Sequence, residues 1–441
     1  MTRKLLLITA LAGFIISGCN PIDCCDRSVI TTDTPTVDIP DGGGDEDITI
    51  TCPMGWTVIE KPTWVTVNPM SGTGSMEVNI SADENDTGKF RSGKVVILAD
   101  NGDTLTITVK QKAGTMVYVT GWHYDVGAFY GASLWVNGTL HTLPNQVNGF
   151  DYAWNNVGNS VFVTDDGTVY VAGIQDFDYN WEVPTLWIDG IPQVFLEEHS
   201  YTSGDRGGAN SVYVTKEGAV YVAGYIREWD GIGFDCFPPK AILWVNGTKQ
   251  VLSEYGYAQS VCVGPDGAVY VVGREYNGIY HIAVLWKNGV KQELSGNEGI
   301  AKSVCVASDG AVYVAGIDDN CAALWKNGTK QVLSTLPYSM ANSVCVAVDG
   351  SVYVAGSERP TSSDTAILWR NGTKQVLSYD TWSRAFSVFA AENGAVYVSG
   401  TNYNDGTYYE SPVLWKNGTR QALPLLLGGG PVAYPLSIFV K

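Results

Sequence analysis

Residues 303–333 read SVCVASDGAVYVAGIDDNCAALWKNGTKQVL, and they contain one complete copy of a unit that recurs from about residue 116 to the end of the chain. A V-Y-V-x-G phrase, here around Tyr313, alternates with an L-W phrase, here around Trp325. Each phrase occurs seven times. A repeat period of roughly 40 to 50 residues is typical of propeller blades, in which each repeat forms one small sheet.

Each unit predicts four short antiparallel strands, because period-2 apolar runs alternate with turn signals. Asp-Gly pairs such as Asp309-Gly310 join the first two strands, and Asn-Gly pairs such as Asn327-Gly328 join the last two. We expect type I′ turns at both, since Asp, Asn and Gly tolerate the positive φ that these turns need. In the quoted unit the predicted strands are Ser303–Val306, Val312–Gly316, Ala322–Trp325 and Lys330–Leu333.

The number of strands predicts how the ring closes. The first V-Y-V phrase, at Val117, lacks a preceding S-V-x-V strand, and the missing strand is the last segment of the chain, Ser437–Val440. We therefore expect the C-terminal strand to complete the first blade of a seven-bladed β-propeller that spans residues 114–441. Such closure leaves only short, protected edges.

The N-terminus has the features of an export signal. Arg3 and Lys4 precede an apolar run from Leu5 to Ile16, which is too short to span a bilayer. The segment ends Ile16-Ser17-Gly18-Cys19 and resembles a bacterial lipobox, which implies removal of residues 1–18 and lipidation of Cys19. An ordinary signal peptide followed by a chance cysteine is the alternative.

Residues 19–34 are polar and predict a flexible tether to the lipid anchor. We expect a protein of the cell envelope at the outer membrane, and the sequence leaves open which side displays it. Removal of residues 1–18 would take away two basic and no acidic residues, so the net charge of −18 would become −20. Such a surface repels nucleic acid and anionic lipid, so the predicted membrane contact is through the anchor only, and we expect a monomer.

Residues 35–113 alternate with period 2 between turn signals and predict seven short strands of an Ig-like β-sandwich. The predicted fold class is therefore all-β, a sandwich followed by the propeller. The segment contains, in this order, Gly55-Trp56, Pro62-Thr63-Trp64, Val67-Asn68-Pro69, Ser71-Gly72, Asn85, Arg91-Ser92-Gly93 and the run from Ile107 to Gln111. In these residues it resembles the BACON family, which implies binding of carbohydrate or mucin or a role as a spacer. We expect Trp56 and Trp64 in the sandwich core.

The two rims of the propeller differ in their connections. Strands run antiparallel, so the tight Asp-Gly and Asn-Gly turns all fall on one rim. The long, dissimilar links fall on the other rim, which we name the variable face. Seven Trp belong to the repeat and are expected between blades, whereas five others lie in the variable links. These five are Trp122, Trp154, Trp181, Trp229 and Trp382.

Binding residues are more often found on loops than on scaffold strands, and clustered exposed aromatic residues mark binding sites. Aromatic rings stack on the apolar faces of sugars while carboxylates bond the hydroxyl groups. The predicted ligand-binding residues are therefore the five Trp together with Tyr124, Asp176 and Asp178. The alternative is that the long links fold over and bury their own Trp.

No catalytic residue is assigned, because the four His are scattered and join no Ser/His/Asp or metal-ligand spacing. Asp176 and Asp178 have the spacing for acid–base work or a calcium ion, but solvated charge is the default in so acidic a chain, and no cofactor or metal is predicted. Non-catalytic glycan binding is the leading hypothesis. The alternatives are a protein-interaction scaffold of a surface complex and a glycoside hydrolase or lyase.

Overall fold

The computed structural model describes residues 29–85, 87–125, 129–144, 155–177, 181–195, 205–229, 237–379, 382–403, 410–423 and 432–441. Of the residues singled out in the sequence, Cys19, Trp154 and Asp178 lie outside these ranges. The chain forms two compact units, the first ending at Gly114 and the second running from Thr115 to Lys441. Every regular element in the described ranges is a β-strand, and none of these residues forms a helix long and apolar enough to cross a bilayer.

The first unit is a two-layer sandwich. One sheet has the strand order β1-β3-β7-β5 and the other the order β2-β9-β8-β4-β6, in which only β2 and β9 pair in parallel. All seven strands predicted for this unit are present. Its strands are β1 (Thr31–Thr32), β2 (Thr36–Ile39), β3 (Gly44–Thr51), β4 (Gly55–Glu60), β5 (Val65–Asn68), β6 (Ser71–Thr73), β7 (Met76–Ala82), β8 (Arg91–Ala99) and β9 (Thr104–Gln111).

The sandwich core is built from the inward-facing half of each alternating strand. Trp56 is 1% exposed and lies in this core as predicted, whereas Trp64 is only partly buried and packs at its edge beneath the Arg91 guanidinium. Ile30 is 3% exposed in the same core, and β1 pairs with β3. The sequence assigned residues 30–32 to the tether, and the structure corrects this, because one apolar side chain there is buried by the sandwich.

The second unit contains seven four-stranded antiparallel sheets among its described residues. The strands of the first four blades are β10 (Val117–Asp125), β11 (Phe129–Val136), β12 (Thr139–Thr142), β13 (Val157–Val163), β14 (Val169–Phe177), β15 (Trp181–Ile188), β16 (Ile191–Val194), β17 (Arg206–Val214), β18 (Val220–Arg227), β19 (Lys240–Val245), β20 (Thr248–Ser253), β21 (Gly256–Val263), β22 (Val269–Tyr276), β23 (His281–Lys287) and β24 (Val290–Glu293). The remaining strands are β25 (Gly299–Val306), β26 (Val312–Asp318), β27 (Cys321–Lys326), β28 (Thr329–Val332), β29 (Met340–Val346), β30 (Val352–Glu358), β31 (Thr365–Arg370), β32 (Thr373–Val376), β33 (Ser383–Ala390), β34 (Val396–Tyr403), β35 (Glu410–Lys416), β36 (Thr419–Ala422) and β37 (Ala433–Val440).

The ring closes as the sequence predicts. The first blade has the order β12-β11-β10-β37, so the last strand of the chain supplies its innermost position. The first strands of successive blades contact one another in turn, and β37 contacts both β13 and β33. The predicted fold class, an Ig-like sandwich and a seven-bladed propeller, is confirmed.

The Ser of the S-V-x-V phrase joins each blade to the next. Its hydroxyl accepts a hydrogen bond from a backbone N–H of the following inner strand, at 3.1 to 3.3 Å, and the seven bonds form a closed circle. From donor to acceptor the pairs are Val161–Ser437, Val212–Ser160, Val261–Ser211, Val304–Ser260, Val344–Ser303, Val388–Ser343 and Ile438–Ser387.

The tight turns follow two different rules. In the Asn-Gly turns both residues have positive φ, as in Asn327 (φ 49°) and Gly328 (φ 80°), which agrees with type I′. The Asn side chain also accepts a hydrogen bond from the first N–H of the second strand, at 2.8 Å in the pair Val312–Asn327. The sequence therefore selects Asn here both for its backbone and for its side chain.

The prediction of type I′ at the Asp-Gly turns is wrong. Gly310 has a φ of 83° but Asp309 does not have a positive φ, and Gly310 and Ala307 close a three-residue loop of the type I plus bulge kind. The Asp309 carboxylate accepts the N–H of Ala311 at 2.9 Å, which is a local Asx arrangement that favours αR backbone at the Asp.

The seven repeat Trp lie between blades, each at most 1% exposed. Trp325, for example, packs in one cluster with Tyr270 and Leu285 of the preceding blade. The glycine of V-Y-V-x-G serves this packing, because a Cβ at Gly356 would lie 1.9 Å from the Met340 carbonyl oxygen and 3.0 Å from the Trp369 ring. Only glycine lets the inner strand and the Trp approach the second strand so closely.

Candidate functional site

The variable face is formed where the inner strands begin and the second strands end. A β-bulge interrupts each of these inner strands. The residues before the bulge therefore pair with the second strand in a shifted register. The side chain that follows the blade glycine therefore faces the start of the inner strand. These directly opposed pairs include Trp122 with Tyr434, Tyr225 with Gly208 and Arg274 with Tyr257.

Two of the Trp predicted in loops belong to strands. Trp122 lies within β10, and Trp181 is the first residue of β15, so the ladder continues past the point where the sequence predicts a link. Aromatic and β-branched residues favour extended pairing, which is why these segments extend the blades. The side chain of Trp181 lies outside the described atoms.

Blade 1 carries an aromatic cluster on the variable face, which we name the blade 1 cluster. The rings of Trp122 and Tyr434 stack with centroids 4.5 Å apart, and Tyr130 meets Trp122 edge-on at the same distance. Tyr124 meets Tyr130 edge-on at 5.8 Å. All four rings are partly exposed. Two of the predicted residues, Trp122 and Tyr124, therefore lie side by side with their aromatic surface accessible.

Asp176 adjoins this cluster through blade 2. Tyr130 forms a bridge with Asn155, and the Asn155 amide donates to the Asp176 carboxylate at 3.3 Å. Asp176 is 7% exposed, and its Oδ1 has no hydrogen-bond partner among the described residues. In the part of the chain that the structure describes, Asp176 is thus linked to the cluster only through Asn155, and its unpaired Oδ1 is buried rather than open to solvent. Asp178, its sequence companion, is outside the described ranges.

The other predicted residues lie on other blades. Trp229 follows β18 in blade 3 and is partly buried, with its backbone N–H donating to the Asp205 carboxylate at 2.8 Å. Trp382 precedes β33 in blade 7, is 39% exposed and has a φ of 62°. The structure therefore brings together Trp122, Tyr124 and Asp176, and it places Trp229 and Trp382 apart from them along the same rim.

A second group of side chains on blades 3 and 4 was not found from the sequence; we name it the Tyr257 cluster. Tyr225 and Tyr257 tilt against each other with ring centroids 4.9 Å apart. The Arg274 guanidinium lies 4.5 Å from the Tyr257 ring centroid, while Arg227 lies 5.9 Å from it and donates a hydrogen bond to the Tyr257 hydroxyl. The register would have revealed it, because Tyr225 and Arg274 directly follow the blade glycine.

Burial and the positive charge of Arg274 lower the pKa of two neighbouring groups, Lys302 and His281. Burial, with a smaller contribution from the Arg274 charge, lowers the pKa of Lys302 to about 8. Burial and Arg274 also lower the pKa of His281, against the opposing effect of Glu298. Lys302 donates a hydrogen bond to Asn342 at 2.8 Å. Three cationic or protonatable groups thus share one region of the rim.

Elsewhere on this rim the charges are neutralised within the protein. Asp364 is fully buried and accepts hydrogen bonds from Arg359 at 2.8 Å and Arg384 at 2.6 Å. Burial acts to raise the pKa of Asp364, but the two guanidinium groups outweigh it and hold that pKa below its ordinary value. Arg384 also approaches Glu410 at 3.6 Å. The charged groups of this network on blades 6 and 7 are therefore already paired with one another.

Within the described ranges, no group of three or more His, Cys, Asp or Glu side chains is arranged to hold a metal ion. The geometry described above presents aromatic faces, one buried carboxylate with a free lone pair and guanidinium groups. These are groups that bind, stack and orient a polar ligand.

Comparison with known proteins gives a family for part of the first unit. Residues 55–112 match the BACON family, described as "Putative binding domain, N-terminal". This match confirms the resemblance drawn from Gly55-Trp56 and the residues that follow it. No functionally curated protein matches the chain in sequence.

Several solved structures show partial likeness. A GH5 xyloglucanase from Bacteroides ovatus in complex with a XXXG heptasaccharide is 23% identical over 32% of this chain and 29% of the enzyme, with a TM-score of 0.18. A puromycin hydrolase is 12% identical over 70% of this chain and 52% of its own, with a TM-score of 0.48. A protein of unknown function from Bacteroides caccae is 12% identical over 74% of this chain and 97% of its own, with a TM-score of 0.33. All three TM-scores lie below 0.5, so the fold rests on the strand pairing described above.

Proposed function

We propose that the protein binds glycan without catalysis, through the variable face of its propeller, while held at the cell envelope by lipid on Cys19. The observation that carries this proposal is the blade 1 cluster, where Trp122, Tyr124 and Tyr130 keep partly exposed rings and Asn155 links Tyr130 to the Asp176 carboxylate. Stacked aromatic rings with a nearby hydrogen-bond acceptor are the arrangement that a pyranose ring requires, because its C–H face is apolar and its edge carries hydroxyl groups.

The family match supports the same class of function. BACON is described as a binding domain, and the resemblance noted in the sequence implies carbohydrate or mucin as its ligand. On this proposal residues 19–29 form the tether, the sandwich is a further binding domain or a spacer, and residues 114–441 present the binding face. Lipidation is tested by metabolic labelling with a fatty acid analogue, which should label the wild-type chain and not Cys19→Ser.

We expect Trp122→Ala to weaken glycan binding at least tenfold, which corresponds to a loss of about 1.4 kcal/mol, because the variant removes the stacking surface. The measurement is a screen of the purified protein on plant, mucin and microbial glycans, followed by calorimetry with the glycans that bind. Val348→Ala is the matched control, because Val348 is 82% exposed on the opposite rim. Equal binding by Trp122→Ala and wild type, or silence across all three glycan classes, would contradict the proposal.

A protein-interaction scaffold is the second candidate, and exposed aromatic residues in the links around blades 6 and 7 favour it. Tyr379 is 91% exposed and Tyr338 is 59% exposed. Trp382 lies between Tyr379 and β33 in the chain. Large exposed rings on one rim are typical of protein interfaces. Cross-linking in the native envelope should recover a stoichiometric protein partner without sugar if this candidate is right. The hydrolase or lyase alternative needs a second carboxylate facing Asp176, and Asp178 stays an untested partner for it.

A further inference from the structure

Positive charge is concentrated in and around the Tyr257 cluster, which is unexpected in so acidic a chain. The protein has 45 acidic and 27 basic residues, yet Arg206, Arg227, Arg274 and Lys302 meet at the variable face of blades 3 to 5. Arg206 and Arg227 are direct partners in the ladder between β17 and β18, and Arg274 is the direct partner of Tyr257 in the next blade. The adjoining inner strand contributes Lys302 from its bulge.

In the described part of the propeller, Arg206, Arg274 and Lys302 lack the counter-charges that other cations have, whereas Arg227 is attracted by the nearby Glu182 carboxylate. On the outer strands, Lys291, Lys330 and Lys374 each form an ion pair with a carboxylate of the second strand of the same blade. Among the described residues, no ion pair involves the four cations of the cluster. The carboxylate in this region, Glu182, accepts a hydrogen bond from the Tyr225 hydroxyl at 2.8 Å.

The donors themselves are incompletely used. The Nε atoms of Arg206 and Arg274 are buried, and neither has a hydrogen-bond partner among the described residues. A buried donor without a partner costs free energy, and like charges placed directly opposite in a ladder repel each other. A bound anion would relieve the repulsion between the directly opposed Arg206 and Arg227.

The aromatic rings hold the guanidinium groups in place. Stacking of Arg274 on Tyr257 fixes the plane of its guanidinium, and the hydrogen bond from Arg227 to the Tyr257 hydroxyl fixes the second group on the same ring. A planar guanidinium presents paired N–H donors that match the oxygens of a carboxylate or a sulfate. The burial-lowered pKa of Lys302, at about 8, agrees with a cation that lacks a neighbouring anion.

We propose that the Tyr257 cluster is an oxyanion subsite, in which Arg227, Arg274 and Lys302 bind the carboxylate or sulfate group of an acidic glycan. The identity of the ligand as a glycan rests on the proposed function. Such a subsite would let a protein of net charge −18 bind an acidic ligand at one place on its surface. Tyr225 offers its ring to the sugar that carries the anionic group.

The first test needs no knowledge of the glycan. Sodium sulfate at low millimolar concentration, below the range in which excluded salts stabilise proteins generally, should raise the thermal unfolding temperature of the full chain more than sodium chloride of equal ionic strength. Arg274→Gln should lose this extra stabilisation. Arg370→Gln is the matched control, because it removes the same charge from a guanidinium that lies 5.6 Å from the Tyr353 ring on the opposite rim. Equal sulfate stabilisation in wild type and both variants would overturn the subsite.

The second test uses matched glycans. Oligogalacturonate, its methyl ester and a sulfated galactan oligosaccharide differ in charge while keeping a similar sugar skeleton. We expect at least one anionic probe to bind at least tenfold more tightly than the ester, with a preference that falls as salt rises. Arg274→Gln should remove that preference by weakening the anionic probes selectively, whereas Trp122→Ala should weaken all the probes that bind.

The outcomes separate the two proposals. If neutral and anionic glycans bind equally and only Trp122→Ala weakens them, the oxyanion subsite is wrong and glycan binding stands. If no glycan binds but sulfate stabilisation depends on Arg274, the subsite stands and the glycan proposal is wrong. If sulfate has no specific effect and no anionic probe is preferred, the subsite is wrong.

Discussion

Deletion of residues 432–441 is expected to abolish the native fold of the propeller. This deletion removes β37, which pairs with β10 along its whole length and carries the Ser437 and Ile438 groups of the inter-blade hydrogen-bond circle. Three apolar side chains of the strand are at most 5% exposed: Ala433, Ile438 and Val440. The expected result is an aggregated product without a cooperative unfolding transition, measured by recovery of soluble protein and by calorimetry of any soluble fraction.

The expected decrease in the free energy of unfolding is large enough to abolish the fold. Burial of an Ile or Val side chain contributes about 1.5 to 3 kcal/mol each, the open edge of β10 would add unpaired backbone groups, and the Val161 N–H would lose its Ser437 acceptor. Whole domains are stable by only about 5 to 15 kcal/mol. Loss of one strand therefore removes a large share of the stability and leaves the edge of β10 open to pairing with other chains.

A circular permutation provides the control. Met116 and Lys441 exchange backbone hydrogen bonds at 2.8 and 2.9 Å, so the two ends of the propeller lie where other blades have an Asp-Gly loop. Residues 432–440 can be placed before Val117 and joined to it by the Ala307–Ala311 loop sequence. This permuted chain should fold, because it keeps every strand of the ring and the pairing of β37 with β10. A deletion variant that unfolds cooperatively near the wild-type temperature would show that the ring does not depend on closure.

The repeated phrases were enough to predict the blades, because each phrase determines its strand or turn from a few neighbouring residues. Alternation gives the strands, Asn-Gly gives the type I′ turns, and the unmatched strand at Ser437 gives the closure. The Asp-Gly turns were predicted wrongly for a physical reason. Asp and Asn both tolerate positive φ, but the Asp309 carboxylate bonds the N–H of Ala311, and that bond holds Asp309 in the ordinary right-handed region.

The candidate site was less predictable, because it depends on how far each ladder extends and on which side chains meet across blades. Trp122 lies on a strand, not on a loop, since pairing with Tyr434 and Ala132 continues beyond the blade glycine. Arg227 and Arg274 are 47 residues apart in the chain, and the sequence alone indicates no Arg cluster. Only the bulged register of the inner strands brings both guanidinium groups to the Tyr257 ring.

Trp325→Ala is expected to destabilise the propeller by about 3 to 5 kcal/mol, because the ring is fully buried between two blades and its removal leaves a cavity that rigid sheets cannot close. Chemical denaturation followed by tryptophan fluorescence measures the change in free energy of unfolding. Trp382→Ala should change it little, since that ring is 39% exposed on the variable face. A change below about 1 kcal/mol in Trp325→Ala would contradict the packing described for the repeat Trp.

A pair of milder variants separates the cavity from the hydrogen bond. The Trp325 indole N–H donates to the Leu294 carbonyl of the preceding blade at 2.9 Å, whereas the Trp369 indole N–H is buried and has no partner among the described residues. Both rings are 0% exposed, so Trp325→Phe and Trp369→Phe remove a similar volume. Trp325→Phe also removes the indole donor from the partly buried Leu294 carbonyl, which costs about 1 kcal/mol, while Trp369→Phe removes a donor that was already unsatisfied. We therefore expect Trp325→Phe to be the more destabilising of the two, and equal values would show that indole hydrogen bonding does not distinguish one blade interface from the next.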